Sequence, residues 1–135
     1  MSPGEESEWK TRKRRIDPRL DAIGWKLGQG AASPTPNRTE EHETQNGPAD
    51  YVLWHERNIV GVVEAKKVTI GPQNVLTQAE RYARGLGDTP FNLGGLRAPF
   101  LYSTSGEVTW FHDVRHPLNR SRRLAQFHTP NALAE

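Results

Sequence analysis

The sequence predicts an α/β domain: a mixed central sheet flanked by helices. Three observations carry this. Helical and hairpin signals alternate along the chain, in the order helix, β-hairpin, helix, β-hairpin. Apolar residues occupy both parities of residues 59–66 (Ile59, Val60, Val62, Val63, Ala65), as for a strand buried on both faces. And Val75, Leu76, Ala79, Tyr82, Ala83 and Leu86 fall on one side of a helical wheel over residues 73–86.

The first helical signal runs from Ser7, a suitable N-cap, through Trp9, Ile16, Leu20 and Ile23 to Gly24, a C-terminal cap. Pro18 either kinks this helix or starts a second one with Asp17 as N-cap. Residues 28–37 form a loop rich in Gly, Pro and Ser; Gly28-Gln29-Gly30 lacks the spacing of a phosphate-binding loop. Residues 38–45 are polar and predict an edge strand, followed by the turn signal Asn46-Gly47. Ala49–His55 and Ile59–Lys66 predict a hairpin about Glu56-Arg57-Asn58. After the helix at 73–86, Pro99–Thr104 and Glu107–Asp113 predict a second hairpin about Ser105-Gly106. From Pro117 onward the chain is basic and weakly patterned.

At 135 residues, with 34% hydrophobic and 25% charged content, the chain suits one globular domain. The net charge of +2 is small, although the pI is about 9.2. The distribution is more informative: Lys10, Arg12, Lys13, Arg14 and Arg15 cluster near the start, Arg115, Arg120, Arg122 and Arg123 near the end. Such clusters either contact phosphates or form a solvated face or tail. There is no cysteine, hence no disulfide framework and no thiolate zinc site. No run reaches the roughly 18 apolar residues of a membrane span, and the first ten residues lack the apolar stretch of a signal peptide. The expected location is the cytoplasm.

The chemistry is concentrated at strand ends. Glu64 and Lys66, two apart in a strand, project to one side with Ala65 facing away. Asp50 opens the partner strand, and a short hairpin register brings its carboxylate near Glu64. Two adjacent carboxylates repel unless a cation is shared. Mg²⁺ takes one or two carboxylates, keeps several waters and binds phosphate oxygens. Lys66 would then face the reacting phosphate. The plainer account, a turn-capping Asp and an edge Glu–Lys pair, fits most Asp…Glu-x-Lys patterns. It fits poorly here, because the pair ends a strand too apolar to tolerate idle charge.

Asp50 followed by Glu64-Ala65-Lys66, with Pro48-Ala49 leading in, resembles the PD-(D/E)xK nuclease motif. Residues 15–25 (RIDPRLDAIGW), 49–54 (ADYVLW), 62–67 (VVEAKK), 78–83 (QAERYA) and 124–133 (LAQFHTPNAL) together resemble the N-terminal endonuclease domain of the motor subunit of type I restriction enzymes, over residues 7 to 130 or so. The resemblance implies a PD-(D/E)xK restriction-endonuclease-like core. It implies Mg²⁺ held by Asp50, Glu64 and the carbonyl of Ala65, with Lys66 as catalytic lysine. It also implies that Gln78 and Tyr82, which share a helix side at i,i+4, orient the DNA backbone or the lysine. The activity implied is hydrolysis of DNA phosphodiester bonds by a metal-activated water. The partners implied are double-stranded DNA and the methyltransferase and specificity subunits of a restriction complex. ATP would serve only motor domains, which are not expected within these residues.

The expected division is a disordered N-terminus (1–6), the endonuclease domain (7–115) and a basic segment (116–135) leading towards a missing translocase. Pro48 departs from the family, which often carries a basic residue there. Some PD-(D/E)xK enzymes add a Glu from the first helix; Glu6, Glu8, Glu41 and Glu43 are candidates. Two readings compete with a restriction nuclease: a catalytically silent DNA-binding or docking module, and a stand-alone repair or junction-resolving nuclease. His112-Asp113-Val114-Arg115-His116 only superficially resembles a zinc motif, since that motif needs a helix and Pro117 follows at once.

Overall fold

The computed structural model describes residues 12–65, 76–87, 91–105, 108–116 and 118–134. One six-stranded sheet organises these residues. Its strands lie side by side in chain order: β1 (Asn37–Thr44), β2 (Gly47–His55), β3 (Asn58–Ala65), β4 (Phe100–Thr104), β5 (Thr109–Asp113) and β6 (Arg122–Leu124). Every neighbouring pair is antiparallel except β3–β4, which is parallel. A parallel pair needs a crossover, and the connection between β3 and β4 contains the helix Leu76–Arg84. Two shorter helices accompany it. Taking all three in chain order, α1 is Asp17–Ala22, α2 is Leu76–Arg84 and α3 is Pro130–Ala134.

The sheet separates two hydrophobic clusters. On one side Tyr51, Leu53, Val63, Ala65, Phe100, Tyr102 and Phe111 pack with Ile16, Leu20 and Trp25 from the N-terminal region. On the other, Val52, Val62 and Leu101 pack with Leu76, Ala79, Ala83 and Leu86 around α2. The mixed parity of β3 follows directly: Val62 faces α2 while Val63 faces the opposite layer.

The turns follow residue chemistry. Glu56 and Arg57 join β2 to β3 with φ of 49° and 67°. That is the doubly left-handed turn that matches strand twist. Gly24 ends α1 at φ 107°, as a C-terminal cap does. Gly85 meets the β1–β2 turn so closely that a Cβ there would lie 2.9 Å from the Asn46 nitrogen. This close approach ties the end of α2 to the turn. Gln45 N–H donates to the Gly85 carbonyl (2.8 Å) and Asn46 Nδ2 to the Arg81 carbonyl (2.7 Å). Both bonds satisfy carbonyls that a helix end leaves open.

One expectation needs revision, and one segment shows structure that its sequence did not reveal. An α-helix does begin here with Pro18 in its first turn, but Asp17 is its first residue and not its cap. A π-helical turn (Arg12–Ile16) leads in, and the Asp17 carboxylate turns inward to accept from the Tyr51 hydroxyl and from Lys13 Nζ (3.1 Å). The segment after residue 115 packs onto the domain. It adds β6 to the sheet edge, then folds back so that Phe127 and Leu133 enter the first cluster. Trp25 Nε1 donates to the His128 carbonyl (2.8 Å), and the Tyr102 hydroxyl pairs with His128 Nδ1 (2.8 Å). Weak patterning hid this, because a three-residue strand of Arg122-Arg123-Leu124 has no usable period. Local chemistry starts α3. Thr129 precedes Pro130, and Thr129 Oγ1 accepts from Ala132 N–H (3.2 Å).

Phe127 tests that integration. Phe127→Ala should cost about 3–5 kcal/mol of stability, as for a buried aromatic, read from urea unfolding of the whole chain. A loss below about 1 kcal/mol would mean that the segment merely leans on the domain.

Candidate metal site at the β2–β3 junction

The β2–β3 ladder places the acidic residues. Its last backbone pair is Tyr51 with Val63. One residue on, the same register sets Asp50 opposite Glu64, and there side chains take over from the ladder. The Asp50 N–H donates to Glu64 Oε1 (3.1 Å), and the Ala65 N–H donates to Asp50 Oδ2 (2.8 Å). Each strand's amide is thus satisfied by the other strand's carboxylate. By strand alternation Glu64 shares a side with Val62, which faces the α2 layer, while Asp50 lies within reach of Arg12. Glu64 is 3% exposed.

The row continues on both sides. Across β1 the register sets Glu41 opposite Asp50. Glu41 has φ 49°, a left-handed conformation unusual for a non-glycine residue in mid-strand. Across β4, Glu64 pairs with Ser103. Ser103 is fully buried, and its Oγ has no hydrogen-bond partner among the described residues.

Cations, two of them buried, gather beside this row. Arg12, whose side chain is 7% exposed, places Nη1 3.0 Å from Glu41 Oε1 and 3.8 Å from Asp50 Oδ1, and Nη2 3.7 Å from Glu40 Oε1. Its guanidinium lies over the Tyr51 ring. Burial opposes the charge, but contacts with Tyr51, Glu41 and Asp50 outweigh it and raise the Arg12 pKa. Lys13 Nζ joins Glu40 (2.9 Å) to Asp17. Arg38 is also buried, with Asp21 at 2.5 Å and Glu40 at 3.0 Å. Burial first, and then the Asp17 hydrogen bond, push the Tyr51 hydroxyl pKa up, so it stays protonated and donates.

The expected site residues thus divide. Asp50, Glu64 and Ala65 come together. Lys66 lies outside the described residues, as do Glu6 and Glu8. Gln78 is exposed on α2, one turn before Tyr82. Tyr82 is half-buried, and its ring lies against Gly47 at the start of β2, drawn there by the α2–turn hydrogen bonds. Glu41 stands in the row beside Asp50, while Glu43 is exposed two residues further on. His112 sits in β5, where Nε2 pairs with the Asn119 carbonyl (3.1 Å), so no helix aligns it with His116.

Sequence reasoning missed Arg12, Arg38, Asp17 and Ser103. One signal existed. A strand reading Asn-Arg-Thr-Glu-Glu-His-Glu-Thr cannot bury apolar side chains, so its inward positions must carry paired charge. The N-terminal basic cluster is therefore partly internal, with Arg12 committed to carboxylates while Arg14 is exposed. The C-terminal cluster is more open. Arg120 and Arg122 line a cavity of about 460 Å³ with Phe111, Asp113, Leu118 and Asn119. Burial opposes the charge on Asp113, but Arg115 forks onto it (2.7 Å) and holds its carboxyl below the usual range.

Among the described residues no group of three or more His, Asp or Glu could hold a metal ion. What the row offers is smaller: two adjacent carboxylates, a strand-end carbonyl and a buried hydroxyl that bonds to no described residue. These are all oxygen donors, and Mg²⁺ needs only one or two carboxylates beside its waters. The residues fit that ion. Without it, the repulsion of the acids is offset only in part by Arg12 at 3.8 Å from Asp50, and this has a measurable consequence. Glu64→Gln keeps an acceptor for the Asp50 N–H but removes one charge. In chelator it should unfold at the same temperature as the parent or a higher one, with a gain below about 1 kcal/mol. A lowered melting temperature would show the acids to be ordinary structural partners.

Residues 31–135 match the family model described as the type I restriction enzyme EcoKI endonuclease subunit second domain. The chain is 28% identical to the type I restriction enzyme EcoKI endonuclease subunit of Escherichia coli (strain K12), over 89% of its own length and 15% of that protein. It also superposes, with a TM-score of 0.74 and 25% identity, on a fragment structure named for an HsdR subunit of a type I restriction enzyme from Vibrio vulnificus YJ016. That match covers 98% of this chain and 25% of the other. The chain spans only a minor part of both relatives.

Proposed function

The chain belongs to the family of the type I restriction enzyme EcoKI endonuclease subunit second domain, and from that premise we propose that it is the nuclease module of such a subunit, hydrolysing DNA phosphodiester bonds with a divalent cation held by Asp50 and Glu64. The observation that carries the reading is the reciprocal pair of bonds between Asp50 and Glu64-Ala65. They hold the carboxyl groups of Asp50 and Glu64 on each other's strand backbone, which supports a PD-(D/E)xK reading.

Asp50, Glu64 and the Ala65 carbonyl would hold Mg²⁺. When bound, the ion supplies Lewis-acid stabilisation of phosphoryl charge and lowers the pKa of a coordinated water. Every other part belongs to the chain. Lys66, two residues after Glu64 in the sequence, steadies the developing negative charge. Tyr82, anchored against Gly47, and Gln78, one turn earlier and exposed, orient the DNA backbone or the lysine. Arg120 and Arg122, facing an open cavity, contact DNA phosphates without reading bases. Double-stranded DNA is the substrate. Methyltransferase and specificity subunits of a restriction complex are the partners that direct the module to it.

Metal binding and cleavage test this together. Mn²⁺ or Mg²⁺ at about a hundred times its Kd should stabilise the chain by about 2.7 kcal/mol, and Asp50→Ala should abolish the shift. In the assembled complex, Lys66→Ala should reduce cleavage of supercoiled DNA by about 10²-fold or more. A metal-blind chain that still binds DNA would favour a docking module, and full cleavage by Lys66→Ala would remove the lysine from the mechanism.

A further inference from the structure

The arginine buried among the acids has no place in that mechanism. Arg12 is a charged residue only 6% exposed, reaching out of the π-helical turn to three carboxylates and one aromatic face. Its strongest contact is Glu41 at 3.0 Å, and the Asp50 contact is looser at 3.8 Å. Its Nε is buried with no hydrogen-bond partner among the described residues. An arginine serving only as a strut would be expected to spend its donors on good hydrogen bonds. This one leaves a donor idle and stands at ion-pair distance from the carboxylate of the cation site.

We propose that Arg12 is a positioning residue that acts as the internal counter-cation of the site: it compensates Asp50 in the metal-free chain, competes with divalent cation for it, and gives way onto Glu41 when the ion binds. The inference rests on the metal-binding reading above. Glu41 is suited to receive the charge. Its side chain is 64% exposed and already holds Nη1, and Glu41 lies between the residues paired with Tyr51 and Ala49 on either side of Asp50. Glu40 and the Tyr51 ring hold the other flanks of the guanidinium, so a shift of Nη1 away from Asp50 leaves the rest of its surroundings in place. A fixed positive charge a few ångströms from a divalent ion weakens that ion's binding, even with substantial local screening. The device therefore sets a low affinity for cation in the resting chain and avoids a naked pair of acids when no ion is present.

Calorimetric titration of Mn²⁺ into the whole chain reads the competition. Arg12→Met should tighten Mn²⁺ binding by roughly tenfold or more while lowering stability in chelator. Arg12→Lys keeps the charge and should stay within about threefold of the parent. A purely structural arginine predicts otherwise, with both variants losing stability and neither gaining affinity. Should Arg12→Met fail to fold, the parent chain answers: the Arg12 Nε–Hε resonance should move along the Mg²⁺ binding isotherm. Metal binding by the parent together with unchanged Mn²⁺ affinity in Arg12→Met, or with a silent Arg12 resonance, overturns this inference alone. No Asp50-dependent metal binding in the parent overturns the nuclease reading and this inference with it.

Discussion

Two carboxylates side by side across a strand pair repel, and a folded chain keeps them there only when something else compensates. That constraint governs the β2–β3 junction. The ladder stops at Tyr51 and Val63, and beyond it Asp50 and Glu64 accept the amides that the partner backbone would otherwise take. Strand backbone and site chemistry thus share the same four groups. The acids cannot drift apart without losing two hydrogen bonds, and they cannot relax their repulsion without a cation.

The rest of the architecture holds that junction still. Apolar side chains cover both sheet faces up to the row, so β3 cannot slip by one residue without exchanging Val62 for Val63 between layers. On the α2 side, Gly85 lets the helix end dock on the β1–β2 turn, which brings Tyr82 to the start of the strand that carries Asp50. On the other side, Tyr51 binds Asp17 through a protonated hydroxyl while Arg12 lies across its ring. The polar β1 completes the arrangement. Arg38, Glu40 and Glu41 link the N-terminal turn and α1 to the sheet through charge rather than through apolar contact.

Much of this was legible in the sequence, for stated reasons. The central strands declare themselves by apolar density, the β2–β3 turn by its polar break, and α2 by a clear stripe. The acids stood out because the strands around them are so apolar. Charge inside β1 was harder to see. Arg12 lies in a run of basic residues that reads as solvent-facing, and nothing local marks it as the member that turns inward. Its carboxylate partners in β1 and β2 are remote in sequence, and the polarity of β1 suggests only an edge. Ser103 was invisible for a related reason: an ordinary serine in a β-rich segment becomes notable only once its hydroxyl is found buried without a described partner. The packing of the segment after residue 115 was not legible because β6 and α3 are too short to show a period, and tertiary contacts of Phe127 and His128 decide their fate.

Placing the cation directly is the sharpest test of the account. Anomalous diffraction from crystals of the chain grown with Mn²⁺ should show one peak bridged by the carboxylates of Asp50 and Glu64, with the Arg12 guanidinium withdrawn towards Glu41. Crystals saturated with Mn²⁺ that show both acids bonded only to the amides of Asp50 and Ala65, with no peak between them, would contradict it.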